Sequence, residues 1–214
     1  MKTKYIITSL LLMSFFISNL KAQNDTDDKR EVPTFGIKAG INVSSLYDTK
    51  GDNFSYNSKL GFAGGVFLGI PIGKYLGFQP ELIYSQKGYK GSGSITLIDY
   101  QYTRNTDFLD VPLQLQLKPS RYLTILGGPE YSFLLHKKLN INSGNITVQQ
   151  QTDIENNNIR KNTLGVIGGL DINILPLVIS GRVGWDLQHN NGDGTSTNPR
   201  FRNVWFQTTL GLSF

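Results

Sequence analysis

The sequence contains no cysteine. Disulfide bonds, cysteine metal sites and lipid attachment through an N-terminal cysteine are therefore excluded. Histidine is nearly absent, with only His136 and His189. Charged residues make up 17% of the chain, against about 25% in an ordinary soluble domain. Beyond residue 22 no apolar run approaches the roughly 20 residues of a membrane-spanning helix, and no stretch carries a convincing helical period. Glycine, at 23 residues, is abundant.

Residues 1–22, MKTKYIITSLLLMSFFISNLKA, have Lys2 and Lys4, an apolar stretch to Leu20, and a small residue at Ala22. That layout predicts a cleaved signal peptide. Its removal takes three lysines and no acid, so the net charge falls from +5 to +2. The basic character is partly a property of this leader, and no nucleic-acid partner follows from it. Residues 23–33, QNDTDDKREVP, read as a flexible polar lead-in. Residues 34–214 fit one domain.

From Thr34 onward the period is two. Phe35, Ile37, Ala39, Ile41 and Val43 alternate with Lys38, Gly40, Asn42 and Ser44. Leu60, Phe62, Val66, Leu68 and Ile70 stand opposite Gly61, Ala63, Gly65 and Gly69. FLDVPLQLQLK sets Leu109, Val111, Leu113, Leu115 and Leu117 against Asp110, Pro112, Gln114, Gln116 and Lys118. The same pattern recurs near 76–87, 123–135, 164–174, 177–188 and 202–214, which makes eight strands. Every second connection is short: 71–75, 118–121 and 175–176. The others, at 48–58, 88–107, 139–158 and 190–199, are long and polar. The third and fourth strands read as a hairpin rising beyond the rest, with Gly91-Ser92-Gly93 near its tip.

An even number of strands with short turns at one end and long loops at the other is the layout of an outer-membrane barrel. The fold expected is all-β: an eight-stranded antiparallel up-and-down transmembrane β-barrel preceded by a cleaved signal peptide. A soluble barrel would turn the apolar face inward, as lipocalins do. The polar parity here is Gly, Ser, Thr, Asn and Gln, which suits a narrow interior better than a water-exposed surface rich in Lys and Glu. Tyr47, Tyr75, Phe78, Tyr84, Tyr122, Tyr131, Trp185, Phe206 and Phe214 lie near strand ends, as interfacial girdles do. Outer-membrane lipid is then the first partner, with short turns periplasmic and long loops extracellular. The final VWFQTTLGLSF is similar to the signal read by the barrel-insertion machinery. The residues that match are Val204, Phe206, Leu210, Leu212 and Phe214, with Thr208 a departure.

FGIKAGINVSSL, FAGGVFLGIPI, LGFQPELIYSQKG, FLDVPLQLQLK and LGGPEYSFLL, in this order and spacing, resemble the PorT-like family of outer-membrane β-barrel proteins. The resemblance covers roughly 34–214. It implies an eight-stranded outer-membrane barrel and, for some members, association with a secretion apparatus. It supplies no catalytic motif.

Candidates for chemistry are few. A barrel hydrolase could use His136 with Ser132 and Glu130, or His189 with Asp186, Asp193 and Ser196; a solvated histidine at the base of a loop is the plainer reading. There is no HxxxH metal pattern, and NNGDGTSTN (190–198) lacks the acidic spacing of an EF-hand. The glycine pairs at 64–65, 127–128 and 168–169 open no helix, so they are not phosphate loops. No cofactor is expected. The polar parity collects Lys38, Glu81, Lys87, Asp110, Lys118, Glu130, Asp171, Arg182 and Asp186. Such charges must pair if buried, which predicts a mixed-sign network filling the lumen. It could line a narrow pore or form a polar core, and eight strands favour the core. The expected function is that of a non-enzymatic barrel whose loops serve surface interaction or membrane integrity. The alternatives are a secretion or transport accessory with an unidentified partner, and a lipid hydrolase.

Overall fold

The computed structural model describes residues 28–48, 56–95, 98–143, 146–151, 161–188 and 201–214. The expected signal peptide (1–22), His189 and the segment 190–199 lie outside them. The strands are β1 (Thr34–Asp48), β2 (Tyr56–Pro71), β3 (Leu76–Ile95), β4 (Ile98–Leu117), β5 (Leu123–Ser143), β6 (Ile146–Gln151), β7 (Asn162–Ile174), β8 (Leu177–Asp186) and β9 (Phe201–Ser213). Eight of them close a ring in the order β1-β2-β3-β4-β5-β7-β8-β9, every pair antiparallel. The β1–β9 seam runs from Gly36 opposite Ser213 to Asp48 opposite Phe201. At its foot Phe214 donates to the Phe35 carbonyl at 2.7 Å and accepts from the Phe35 amide at 3.2 Å. No edge is left in the ring, as a lipid environment requires.

The alternation turns inside out relative to a soluble protein. Ile37, Leu60, Leu115, Leu170, Phe206 and Leu210 are exposed on the outer wall, whereas Lys38, Glu81, Asp110, Gln114, Arg182 and Gln207 are buried. The apolar parity thus faces outward on every strand of the ring, and the polar parity fills the interior.

Four features depart from the sequence reading. The β3–β4 ladder continues to Ile95 opposite Ile98, so Gly91-Ser92-Gly93 lies within a strand. The sequence set these glycines near the hairpin tip by composition alone; they pair with Tyr102 to Tyr100 a few residues below the end of the ladder. Within the 139–158 connection, β5 runs on to Ser143 and pairs with β6 above the point where β7 takes over. The polar run ITVQQQ carries too little alternation to be read as a strand. A bulge between Asp107 and Phe108 on the β4–β5 ladder takes Leu135 out of the outward row; it is half-buried, and His136 follows it outward.

The fourth departure concerns the lead-in. Lys29–Glu31 form a 3₁₀ turn capped by Asp28. The Arg30 guanidinium donates to the Lys118 carbonyl at 3.3 Å, and Lys118 Nζ donates to the Arg30 carbonyl at 3.0 Å. Arg30 also stacks on Tyr75, 5.3 Å from its centroid, while Lys74 pairs with Asp28 at 3.5 Å. In a ring of eight, the β4–β5 turn lies across from β1. Residues 28–33 therefore form a strap under the short-turn mouth, held at both sides. Arg30 holds the Asp28 carboxyl well below its ordinary range, and burial lowers Lys118.

Candidate functional site: the filled lumen

The inward charges form two tiers. In the tier nearer the short turns, Lys38 Nζ meets Glu81 Oε2 at 2.5 Å, and Arg182 bridges Asp171 at 2.7 Å and Glu81 at 3.5 Å. Gln79 donates to Glu81 at 2.7 Å and accepts from Gln116 at 2.5 Å. The four charged groups come from β1, β3, β7 and β8, so the tier ties strands across the barrel. Two cations face two carboxylates, and the charge balances.

In the tier nearer the long loops, Lys87 Nζ lies 3.0 Å from Asp110 and 3.2 Å from Glu130, with Ser132 Oγ at 3.4 Å. Ser85 donates to Asp110 at 2.5 Å, and the Asn203 amide donates to Asp186 at 2.5 Å. The Lys87 ammonium also sits 3.8 Å from the Trp205 ring centroid and 5.1 Å from that of Phe108. This is a desolvated cation–π contact, worth about 2 kcal/mol. Lys38 has a longer counterpart in Phe67, at 5.8 Å. Between the tiers β3 turns Ile83 inward, 2% exposed. The charges thus lie in two clusters, where the sequence suggested one network.

Four inward aromatics among the described residues, Phe67, Tyr89, Phe108 and Trp205, escaped the sequence reading. They stand on the polar parity, where only small or polar residues were sought. Glycines on facing strands make room for two of them. A Cβ at Gly184 would overlap the Trp205 indole, and one at Gly36 would overlap the Phe67 ring. An aromatic and a glycine cross-strand from it, both on the inward parity, would have been the signal. Gly184 is opposite Trp205 on the β8–β9 ladder, and Gly36 is opposite Phe67 on β1–β2.

Lys38, Glu81, Lys87, Asp110, Glu130, Asp171, Arg182 and Asp186 are all buried in the lumen. Lys118 belongs to the mouth and the strap instead. His136 is exposed on the outer wall, while Ser132 and Glu130 point inward and bind Lys87. The bulge separates them, so these three groups do not converge. Phe206, Leu210, Leu212 and Phe214 are exposed along the outer face of β9, with Val204 half-exposed above them.

The outward apolar wall closed around a packed polar interior is the geometry of a barrel that lives in lipid. A family model described as outer membrane protein beta-barrel domain matches residues 22–190. The chain belongs to the outer membrane protein beta-barrel domain family. Membership in this β-barrel family places the chain in the outer membrane. Solved structures of similar shape include Ail of Yersinia pestis, with 16% identity over 85% of this chain and 99% of that one, TM-score 0.46. Neisserial surface protein A has 15% identity over 84% and 97%, TM-score 0.44. OprG of Pseudomonas aeruginosa has 14% identity over 86% and 97%, TM-score 0.42. No curated protein sequence matches the chain.

Proposed function

We propose that this outer-membrane β-barrel is a closed, non-enzymatic scaffold. Its lumen serves stability, and its long-loop end serves surface interaction or membrane integrity. The observation that supports this is the packing of the lumen: two ion-pair tiers, four inward aromatics and a strap beneath the mouth leave side chains where a conducting path would run. In this reading residues 1–22 are cleaved on export, the short turns face the periplasm, and the long loops face outward. Val204, Phe206, Leu210, Leu212 and Phe214 present their apolar row to the insertion machinery during assembly. The order and spacing of the segments from FGIKAGINVSSL through LGGPEYSFLL support reading the chain as akin to the PorT-like barrels. A link to secretion would then act through a partner at the loops or the strap, not through the lumen.

Planar-bilayer recording of the refolded full-length barrel tests the proposal. The expected trace is flat at voltages where open porins conduct. A stable unitary conductance that survives in Arg30→Ala, and so does not depend on the strap, would refute the closed lumen.

A further inference from the structure

The tier nearer the long loops brings an amine, a carboxyl carbon and a second carboxylate within reach of one another. Lys87 Nζ lies 3.0 Å from Asp110 Oδ2 and 3.2 Å from Asp110 Oδ1. An atom that close to both oxygens stands near the carbon between them, at roughly the 3–3.5 Å of a near-attack arrangement. Glu130 Oε1 lies 3.2 Å from the same Nζ. Ser85 Oγ donates to Asp110 Oδ2 at 2.5 Å, so an oxygen that gains charge during attack already has its donor. Ser132 Oγ donates to Glu130 at 3.3 Å and holds that carboxyl in place.

Water is kept from all three groups. Lys87 is 1% exposed, and Asp110 and Glu130 are 2% exposed. Trp205 and Phe108 cover the ammonium. Lys87 stands opposite Thr106 and Asp110 opposite Ile83, so the lysine stem runs four residues along the β3–β4 ladder to reach the carboxyl. Backbone pairing on β3, β4 and β5 fixes the three residues, and such fixed pairs reach effective molarities of about 10⁵–10⁸ M. The tier nearer the short turns lacks this arrangement. Lys38 bridges Glu81 and, among the described residues, no second carboxylate; the other Glu81 oxygen meets Gln79 and Arg182.

We propose that Lys87 and Asp110 join in an intramolecular amide bond, formed by the folded barrel itself with Glu130 as the proton relay. The ammonium passes one proton to the Glu130 carboxylate. The neutral Nζ attacks Cγ of Asp110, and the bond from Cγ to one carboxylate oxygen breaks. That oxygen leaves as water, carrying one proton from Nζ and the one held by Glu130. One ammonium and one carboxylate become one amide and one water, Glu130 returns to its starting form, and no co-reactant is consumed. The site excludes the water that would reverse the step. The bond ties β3 to β4 at the base of the long hairpin, in a single turnover on the chain's own side chains. It forms whether or not the lumen conducts, so it stands apart from the closed-scaffold reading.

The test is intact mass before and after folding. The full chain, purified in denaturant, is refolded into detergent micelles, denatured again and measured. The chain before folding is expected at its sequence mass, and the refolded chain lighter by one water. Fragmentation should yield a branched peptide that joins the Lys87 segment to the Asp110 segment. Lys87→Arg keeps the cation but cannot form the amide, so it should refold at full mass. Glu130→Gln keeps the shape and loses the relay, and should shed water about a hundredfold more slowly. The boiling shift on electrophoresis shows that each protein has folded. A folded wild type that stays at its sequence mass after prolonged incubation overturns the bond, with no variant needed. A branched peptide joining Lys87 to Glu130 overturns the choice of Asp110, and an unchanged rate in Glu130→Gln overturns the relay.

Discussion

Replacing Arg182 with methionine is expected to lower the unfolding free energy of the barrel by about 3–5 kcal/mol. The guanidinium is 1% exposed and bridges Asp171 and Glu81. Without it, two carboxylates share the single Lys38 inside a protein-lined lumen. The loss is the cost of an uncompensated buried charge, not the net worth of the salt bridge. The double variant Arg182→Met/Asp171→Leu removes one charge of each sign and leaves Lys38 paired with Glu81. It should recover most of the loss, because replacing a whole buried pair with apolar groups is often close to neutral. Urea titration in lipid vesicles, with the boiling-sensitive band as readout, measures both. Equal destabilisation of single and double variants would mean that Arg182 acts through packing rather than charge.

Trp205→Ala should cost a similar amount, about 3–5 kcal/mol, by opening a cavity in the lumen and stripping Lys87 of its aromatic face. The control is Trp185, on β8 and 47% exposed on the outer wall. There lipid can fill the space that an alanine leaves, so Trp185→Ala should cost clearly less. The same urea titration reads both. A greater loss at Trp185 would contradict the assignment of Trp205 to the packed interior.

The two tryptophans also mark how far the sequence could be read. Alternation from Leu109 to Leu117 and in FQTTLGLSF placed each outward and inward residue correctly, because a one-residue slip would move every side chain to the wrong face. The tight turns at 71–75 and 175–176 were legible from proline and glycine. Charges on the inward parity were legible one by one. Their division into two tiers was not, since it depends on which strands meet across the barrel. Trp205 was missed because an aromatic near a strand end suits a girdle equally well; its place on the inward parity and Gly184 across the ladder together distinguish the two. The strap was missed because Arg30 and Lys118 are 88 positions apart in sequence, and nothing local in QNDTDDKREVP announces the pairing. The β6 strand was missed because its pairing with β5 supplies what its own pattern lacks.

The central claim is that the apolar parity faces lipid and the polar parity faces a filled lumen. The absence of native cysteine makes a direct test simple. Single cysteines at Leu113, Gln114, Leu115 and Gln116, labelled with a small environment-sensitive fluorophore, would be refolded into vesicles containing lipid-borne quenchers. Positions 113 and 115 should be quenched strongly, and positions 114 and 116 should be protected from both lipid-borne and aqueous quenchers. The reverse alternation, or aqueous quenching at 113 and 115, would contradict the account.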